Sequence, residues 1–148
     1  MSYSTGEALI LTRVRACTGF DSTNTSRANW KILHSGKSDH YAILRPAGFA
    51  VEWQTLSMAV FRYTTLVEVW QRYTDDTITQ TNLYGYIANL YSLLDYPHLG
   101  DTTGAIQDST ITGADDPQEM WREDGGPKWL RWLMRIDWAE QRTVTFAE

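Results

Sequence analysis

The sequence S-M-A-V-F-R-Y-T-T-L-V-E-V-W-Q-R-Y occupies residues 57–73 and decides the fold. Its β-branched, aromatic and aliphatic side chains alternate between two faces, which is typical of a half-buried antiparallel strand. One face carries Tyr63, Thr65, Val67, Val69 and Gln71, and the other carries Thr64, Leu66, Glu68, Trp70 and Arg72. Neither face is uniformly polar. We therefore expect both faces of this strand to contact other protein.

Shorter strands are predicted on both sides of this stretch. Residues 40–45 form a short strand, 46–48 a turn, and 49–54 either a second short strand or the edge of a loop. Another strand is predicted around residues 104–112, and the last at 129–140, with the tail 141–148 free to extend it. In this last strand the wholly apolar face consists of Leu130, Trp132, Met134, Ile136 and Trp138, and the amphipathic face of Trp129, Arg131, Leu133, Arg135 and Asp137.

Two amphipathic helices are predicted, over residues 4–17 and from the Thr74-Asp75-Asp76 start to about residue 94. The apolar stripe predicted for the second helix consists of Ile78, Leu83, Ile87, Leu90, Tyr91 and Leu94. Residues 20–39 are expected to form a long ordered loop with an apolar anchor at 30–33, and residues 113–128 a projecting loop or extended hairpin. The element order predicts a single α+β domain over residues 1–148. It consists of an antiparallel sheet of about four to five strands with two helices on one face.

The composition is that of a globular protein with an excess of aromatic residues. The chain of 148 residues is 43% hydrophobic and has seven Trp, eight Tyr and four Phe, more than a core of this size needs. The net charge is −5, and the sequence has no Lys/Arg cluster of the kind that predicts specific nucleic-acid binding. DNA could nevertheless pass along a mildly acidic surface. Residues 1–7 do not resemble a signal peptide, and no apolar run predicts a membrane span. We expect the protein to be made in the cytoplasm.

The residues that could act in catalysis or bind a metal form no catalytic or metal-binding constellation in the sequence. His34 and His40 with Asp39 suggest a metal site, but solvated loop histidines explain them better. His98 follows a helix end, where it can bond terminal carbonyls, and Cys17, the only cysteine, fits a buried helix position. Adjacent acids at 75–76 and 115–116 fit a helix cap and a turn. We therefore predict no enzyme activity, no metal and no cofactor.

Several segments resemble the tail terminator (tail completion) family of long-tailed bacteriophages. The resemblance is carried by the opening helix at 4–17, the strand Tyr41–Leu44 closed by Arg45-Pro46, and Val67-Glu68-Val69-Trp70. It continues in Leu93-Leu94-Asp95-Tyr96-Pro97-His98-Leu99 and in the strand at 129–138. The resemblance implies a virion protein of the tail or neck whose subunits form a homohexameric ring. Such a ring caps the tail tube, ends its polymerisation and joins it to a head-side connector or stopper protein, while DNA passes through.

Surplus aromatic and Arg residues predict the contact faces of such a subunit, because these types dominate interface energetics. The candidates are Trp70, Arg72, Trp121, Arg122, Trp129 and Arg131. For each Trp, burial in the core is an equally good interpretation. Two other functions stay open: another phage head–tail joining protein, such as a neck or head-completion subunit, and an aromatic-rich module that binds a small ligand or a peptide.

Overall fold

A computed structural model describes residues 3–94, 106–114, 118–120 and 128–143. Helix α1 spans Tyr3–Ala16 and helix α2 spans Asp76–Leu94. The strands are β1 (Thr25–Arg27), β2 (His40–Trp53), β3 (Met58–Arg72), β4 (Ile106–Ala114), β5 (Gln118–Met120) and β6 (Trp129–Thr143). A short 3-10 helix, Trp30–His34, lies between β1 and β2.

These strands form one mixed, mostly antiparallel sheet. Five of them lie side by side in the order β1-β2-β3-β6-β4, and β5 pairs with the first residues of β6. Only β1 runs parallel to its neighbour, pairing Thr25–Arg27 with residues 42–44 of β2. The predicted α+β class is confirmed.

The alternation predicted for β3 is confirmed by its burial on two faces. Tyr63, Val67 and Val69 lie in the main core beneath the helices, whereas Trp70 lies in a second cluster on the opposite face. The apolar face predicted for β6 also faces the helices, with Met134 and Ile136 fully buried. Both helices supply the other half of this core, through Ile10, Leu11, Val14, Leu83, Ile87, Leu90 and Leu94.

Helix α2 begins where the acidic pair predicted it. The Asp75 carboxylate accepts a hydrogen bond of 2.8 Å from the Ile78 backbone N–H, the bond that an N-cap side chain makes. The predicted apolar stripe was wrong at Ile78 and Tyr91, which are exposed, while Thr79 is buried. At 3.6 residues per turn, Ile78 points about 140° and Tyr91 about 80° away from the centre of the buried face.

Strand β2 runs without interruption through the turn that was predicted at residues 46–48. The pairing with β3 shifts register between Pro46 and Gly48, so the extra residue Ala47 is taken up as a β-bulge. Pro46 causes no loss of pairing there. Ala42 donates its N–H outward to Asn24, and with a period of two Pro46 also faces outward, past the end of β1.

The segment predicted as a long loop at residues 20–39 contains regular structure. The side chain of Arg15 in α1 donates to the Thr25 carbonyl over 3.3 Å, and the buried Glu7 carboxylate lies 3.3 Å from Arg27 Nε. These contacts fix β1 between α1 and β2. The 3-10 helix places Ile32 and Leu33 on the second cluster, so the predicted anchor at residues 30–33 does pack on the sheet.

The excursion predicted at residues 113–128 is described only in part. Its first residues continue β4 to Ala114, and β5 forms an antiparallel pair with the start of β6. Residues 115–117 and 121–127 lie outside the described residues. Strand β6 continues to Thr143, three residues past its predicted end at Glu140.

Replacing a helix glycine with alanine should have opposite effects on stability at two positions. A Cβ at Gly6 of α1 would lie 2.1 Å from Cη2 of the buried Trp138, whereas a Cβ at Gly85 of α2 has nothing within 4 Å. We expect Gly85→Ala to raise the free energy of unfolding by about 0.5–1 kcal/mol through helix propensity. Gly6→Ala should lower it by about 1–3 kcal/mol through overpacking. Urea denaturation followed by circular dichroism measures both, and equal shifts would contradict the packing of α1 on Trp138.

Candidate interaction surface

Two of the predicted contact residues, Trp70 and Trp129, pack inside the chain. Both are buried with Tyr41 and Ile43, and the Tyr41 and Trp129 ring centroids are 5.8 Å apart. The 3-10 helix covers this cluster. In the isolated chain these tryptophans are therefore core residues of the second face of the sheet.

Arg131 belongs to a buried ionic cluster on that same face. The Glu68 carboxylate, 1% exposed, accepts a bond of 3.0 Å from Arg45 Nε and one of 3.4 Å from Arg131. The Trp30 indole N–H donates to it over 3.2 Å. Glu68 thus joins β2, β3, β6 and the 3-10 helix. Its burial is tolerated because two guanidinium groups offset the charge.

The other predicted contact residues are less informative. Arg72 lies exposed at the end of β3, where its backbone N–H donates to the Asp39 carbonyl over 2.7 Å. Trp121 and Arg122 lie outside the described residues. The structure therefore brings Trp70, Trp129 and Arg131 together around one buried cluster. Arg72 differs from these three residues in being exposed.

A different part of the chain presents four exposed large apolar side chains close together in sequence. Residues 49–61, the distal half of β2, the turn and the start of β3, are named here the hairpin arm. Exposed fractions in the arm are 62% for Phe49, 39% for Val51, 53% for Trp53 and 93% for Leu56. Contiguous exposure of this kind marks interaction surfaces on soluble proteins.

The arm is exposed because the helices are shorter than the strands. The 15 residues of β3 extend for about 50 Å, whereas the 19 residues of α2 extend for about 29 Å and the 14 of α1 for about 21 Å. The helices pack over the part of the sheet that contains Val67 and Met134. On the same face, Phe49, Val51 and Trp53 extend past this cover.

Backbone and side-chain contacts hold the arm in one conformation. In the turn the N–H groups of Gln54 and Thr55 donate to the Met58 carbonyl over 2.9 and 3.2 Å. The Gln141 side chain of β6 donates to Gln54 Oε1 over 3.0 Å. Strand β3 pairs with β6 as far as Met58 opposite Thr143. The arm is therefore part of a three-stranded sheet along its length.

A row of aromatic rings connects the arm to the core. The Phe49 ring lies 5.8 Å from Phe61 and 5.5 Å from Tyr63, and Tyr63 lies 4.5 Å from the buried Trp138. The Arg142 guanidinium lies over Phe61 at 4.5 Å, a cation–π geometry. The exposed ring of Phe49 therefore packs on the rings of Phe61 and Tyr63.

A buried polar group lies beneath this row. The Tyr63 hydroxyl donates to Glu140 Oε1 over 3.1 Å and accepts a bond of 3.0 Å from Arg142, which also binds the Glu140 carboxylate. Burial, followed by the negative charge of Glu140, raises the pKa of Tyr63. The phenol therefore stays protonated at neutral pH and keeps its ring in place as a hydrogen-bond donor.

Two open clefts flank Phe49. The larger, of about 480 Å³, is lined by Ala50, Arg62, Thr64, Thr110 and Asp137 together with Phe49, Tyr63 and Trp138. The smaller, of about 360 Å³, lies against Pro46 and Gly48. Both volumes fall within the range of sites for small ligands or for side chains of a partner protein.

The histidine and cysteine residues offer structural contacts. His40 Nδ1 lies 2.7 Å from Asp39 Oδ1, and the imidazole ring stacks on Tyr86 at 4.2 Å. Cys17 is buried, and burial raises the pKa of its thiol. Over the residues that the structure describes, no group of three His, Cys, Asp or Glu side chains is arranged to hold a metal ion. None of the helices described is long and apolar enough to cross a membrane.

The sequence contains a signal for the arm that counting Trp and Arg residues misses. Phe49, Val51 and Trp53 alternate with Ala50, Glu52 and Gln54, which is a period-two pattern with one apolar face. The predicted turn at residues 46–48 separated this pattern from the preceding strand and left it as an edge segment.

No protein-family model matches the sequence, and neither does any curated protein. Function is therefore inferred from the surface of the chain itself.

Removing the buried carboxylate of Glu68 should destabilise the second face. We expect Glu68→Gln to lower the free energy of unfolding by about 2–4 kcal/mol, because Arg45 and Arg131 lose their counterion. The matched control is Glu52→Gln, which breaks the exposed 3.3 Å pair with Arg62. Its effect should stay within about 0.5 kcal/mol. Denaturant titration of both variants tests the difference, and equal effects would refute a structural role for the Glu68 cluster.

Proposed function

We propose that this chain is a structural subunit of a phage tail, a tail terminator that forms a ring on the end of the tail tube. In this role it ends tube polymerisation and joins the tube to a head-side connector or stopper protein. The observation that carries the proposal is the hairpin arm, which exposes the large apolar side chains of Phe49, Val51 and Leu56. The sequence resemblance to tail terminators supplies the kind of assembly.

The chemistry of the arm suits a protein partner. Aromatic side chains held in place by their own chain bind with little loss of conformational entropy, and they form the energetic centres of interfaces. Phe49 is such a side chain, supported by the rings of Phe61 and Tyr63. The neighbouring clefts can accept side chains of the partner. The net charge of −5 also suits a ring through which DNA passes without binding.

Another head–tail joining protein would use the same surface on a different neighbour, and it is the nearest alternative. A second candidate, a small-ligand or peptide-binding module, is favoured by one observation. The cleft of about 480 Å³ is lined by Arg62 and Asp137 together with Thr64 and Thr110, and a few polar groups of this kind can orient a ligand. A module of this kind would bind its ligand as a single subunit, whereas a terminator would form a ring of several copies.

The oligomeric state of the purified chain tests the proposal. We expect light scattering over a concentration series, together with electron micrographs of the same sample, to show rings of about six copies, alone or with tail tube ends. A single subunit that forms no rings with tube ends and binds a small ligand in the cleft beside Phe49 would contradict the proposal.

A variant of the arm should prevent ring formation while leaving the fold intact. Trp53→Ser removes an exposed ring of the arm, and Tyr91→Ser removes a comparably exposed ring of α2. We expect Trp53→Ser to reduce ring formation at least tenfold at equal concentration, because an anchor side chain at an interface contributes about 2 kcal/mol or more. Tyr91→Ser should assemble as the unmodified chain does. Equal assembly of both variants would show that the arm is not the contact surface.

A further inference from the structure

The tip of the hairpin arm presents one apolar side chain almost entirely to solvent. Leu56 is 93% exposed, and the turn that carries it is fixed by hydrogen bonds. The N–H groups of Gln54 and Thr55 donate to the Met58 carbonyl. Those of Ser57 and Met58 donate to Thr55 Oγ1 over 3.3 and 3.0 Å. A turn is favoured by Gly, Pro, Asn, Asp or Ser and does not need a Leu, so turn formation does not explain this side chain.

The smaller of the two clefts beside Phe49 is suited to receive such a side chain. It has a volume of about 360 Å³ and a predominantly apolar surface, and it is lined by Pro46, Gly48, Phe49 and Tyr63. None of these four residues is charged, and the Tyr63 hydroxyl is already bonded to Glu140. Removing a buried Leu side chain from a protein core leaves a cavity of about 150 Å³, so the cleft has room for a Leu.

Leu56 lies too far from the cleft of its own chain to fill it. Four residues of strand, about 13 Å, separate Phe49 from the end of β2, and Pro46 lies about 10 Å further back. The fixed turn holds Leu56 beyond that end of the strand. A Leu that occupies the cleft therefore has to come from another molecule.

We infer that Leu56 of one copy of the chain inserts into the cleft beside Pro46 of the next copy. Every copy carries both the exposed Leu and the cleft, so each copy gives one contact and receives one. A contact of this kind is head-to-tail, and head-to-tail contacts form a closed ring when the rotation between copies closes. The inference rests on the proposed function and deepens it, because it names the contact between neighbouring subunits of the ring.

The distribution of charge favours a second copy as the occupant. The net charge is −5, so most surfaces of two copies repel each other. The tip, residues 54–57, contains no charged residue, and neither does the lining of the cleft. The one charged residue of the arm, Glu52, lies 3.3 Å from Arg62 in an ion pair. The tip and the cleft of two copies can therefore meet without bringing like charges together.

The area of one such contact suits a ring better than an isolated pair. Burying a Leu removes on the order of 100 Å² from water, whereas a stable protein interface buries about 800 Å² per partner. Phe49, which lines the cleft and is 62% exposed, adds further apolar area. In a closed ring every copy is held at two contacts at once, and this offsets the weakness of each.

Cysteine cross-linking between two variants tests the contact. Tagged Leu56→Cys chains are mixed with untagged Pro46→Cys chains under mild oxidation, and the tag identifies mixed dimers. The control mixture replaces Pro46→Cys with Ile78→Cys, at an exposed position of α2. We expect mixed dimers to form at least tenfold faster with Pro46→Cys, because only there does the contact bring the thiols together. Cys17 is buried and should not contribute. Equal rates in the two mixtures would overturn the inference.

The double variant with Leu56→Cys and Pro46→Cys separates this inference from the proposed function. Its two thiols are too far apart to bond within one chain, so each disulfide links two copies. We expect a covalent ladder that ends at the size of the ring. A ladder that grows without an end would retain the contact and contradict the ring. Rings in electron micrographs without cross-links would retain the proposed function and overturn the contact.

A charge at the tip tests the contact without a covalent bond. Leu56→Asp and the control Ile78→Asp each add one negative charge at an exposed apolar position. We expect Leu56→Asp to reduce ring formation at least tenfold at equal concentration, because a charge cannot enter an apolar cleft unpaired. Ile78→Asp should assemble as the unmodified chain does, and circular dichroism should show the same fold for both. Equal assembly would overturn the inference. So would a Leu56→Asp chain that still forms rings but no longer binds tube ends, because Leu56 would then contact the tube.

Discussion

The length of β3 is the constraint on which the rest of the structure depends. This strand pairs over all 15 residues with β6 and over nearly as many with β2, so three long strands form the centre of the sheet. An uncovered sheet face exposes apolar side chains, and the two helices cover only about half of this length. The covered half becomes the main core, which includes Val67, Leu83 and Met134. The half beyond the helices contains the hairpin arm, where Phe49 and Val51 are exposed, so the core and the candidate interaction surface are two ends of one sheet face.

The parts of the fold that follow from local periodicity could be predicted from the sequence. The alternation in β3 and β6, and the acidic start of α2, placed these elements within a few residues of their bounds. The bulge at residues 46–48 could not be predicted in this way, because Pro-Ala-Gly has the composition of a turn. Whether such residues turn the chain or are taken up in a strand depends on the neighbouring strand. Here β3 continues without interruption past Thr65 and Thr64, and this continuity keeps β2 extended.

The contact residues were harder to predict because residue type does not distinguish an interior ring from a surface ring. Trp70 and Trp53 both lie on long strands among alternating residues, but one is buried and the other exposed. The difference comes from the 3-10 helix, which is joined to the sheet by Trp30 and Glu68 and covers the second face near Trp70. In the arm, by contrast, Phe49 is 62% and Trp53 53% exposed. Cover of this kind is a tertiary property, and the polar composition of residues 20–39 did not indicate it.

The bulge fixes which side chains form the apolar face of the arm. In a strand without the extra residue Ala47, Phe49, Val51 and Trp53 would have pointed to the second face. Ala50, Glu52 and Gln54 would then have occupied the helix face, because a shift of one residue exchanges the two faces of a strand. One inserted residue therefore determines that Phe49 and Val51, and not Ala50 and Glu52, lie on the helix face of the arm.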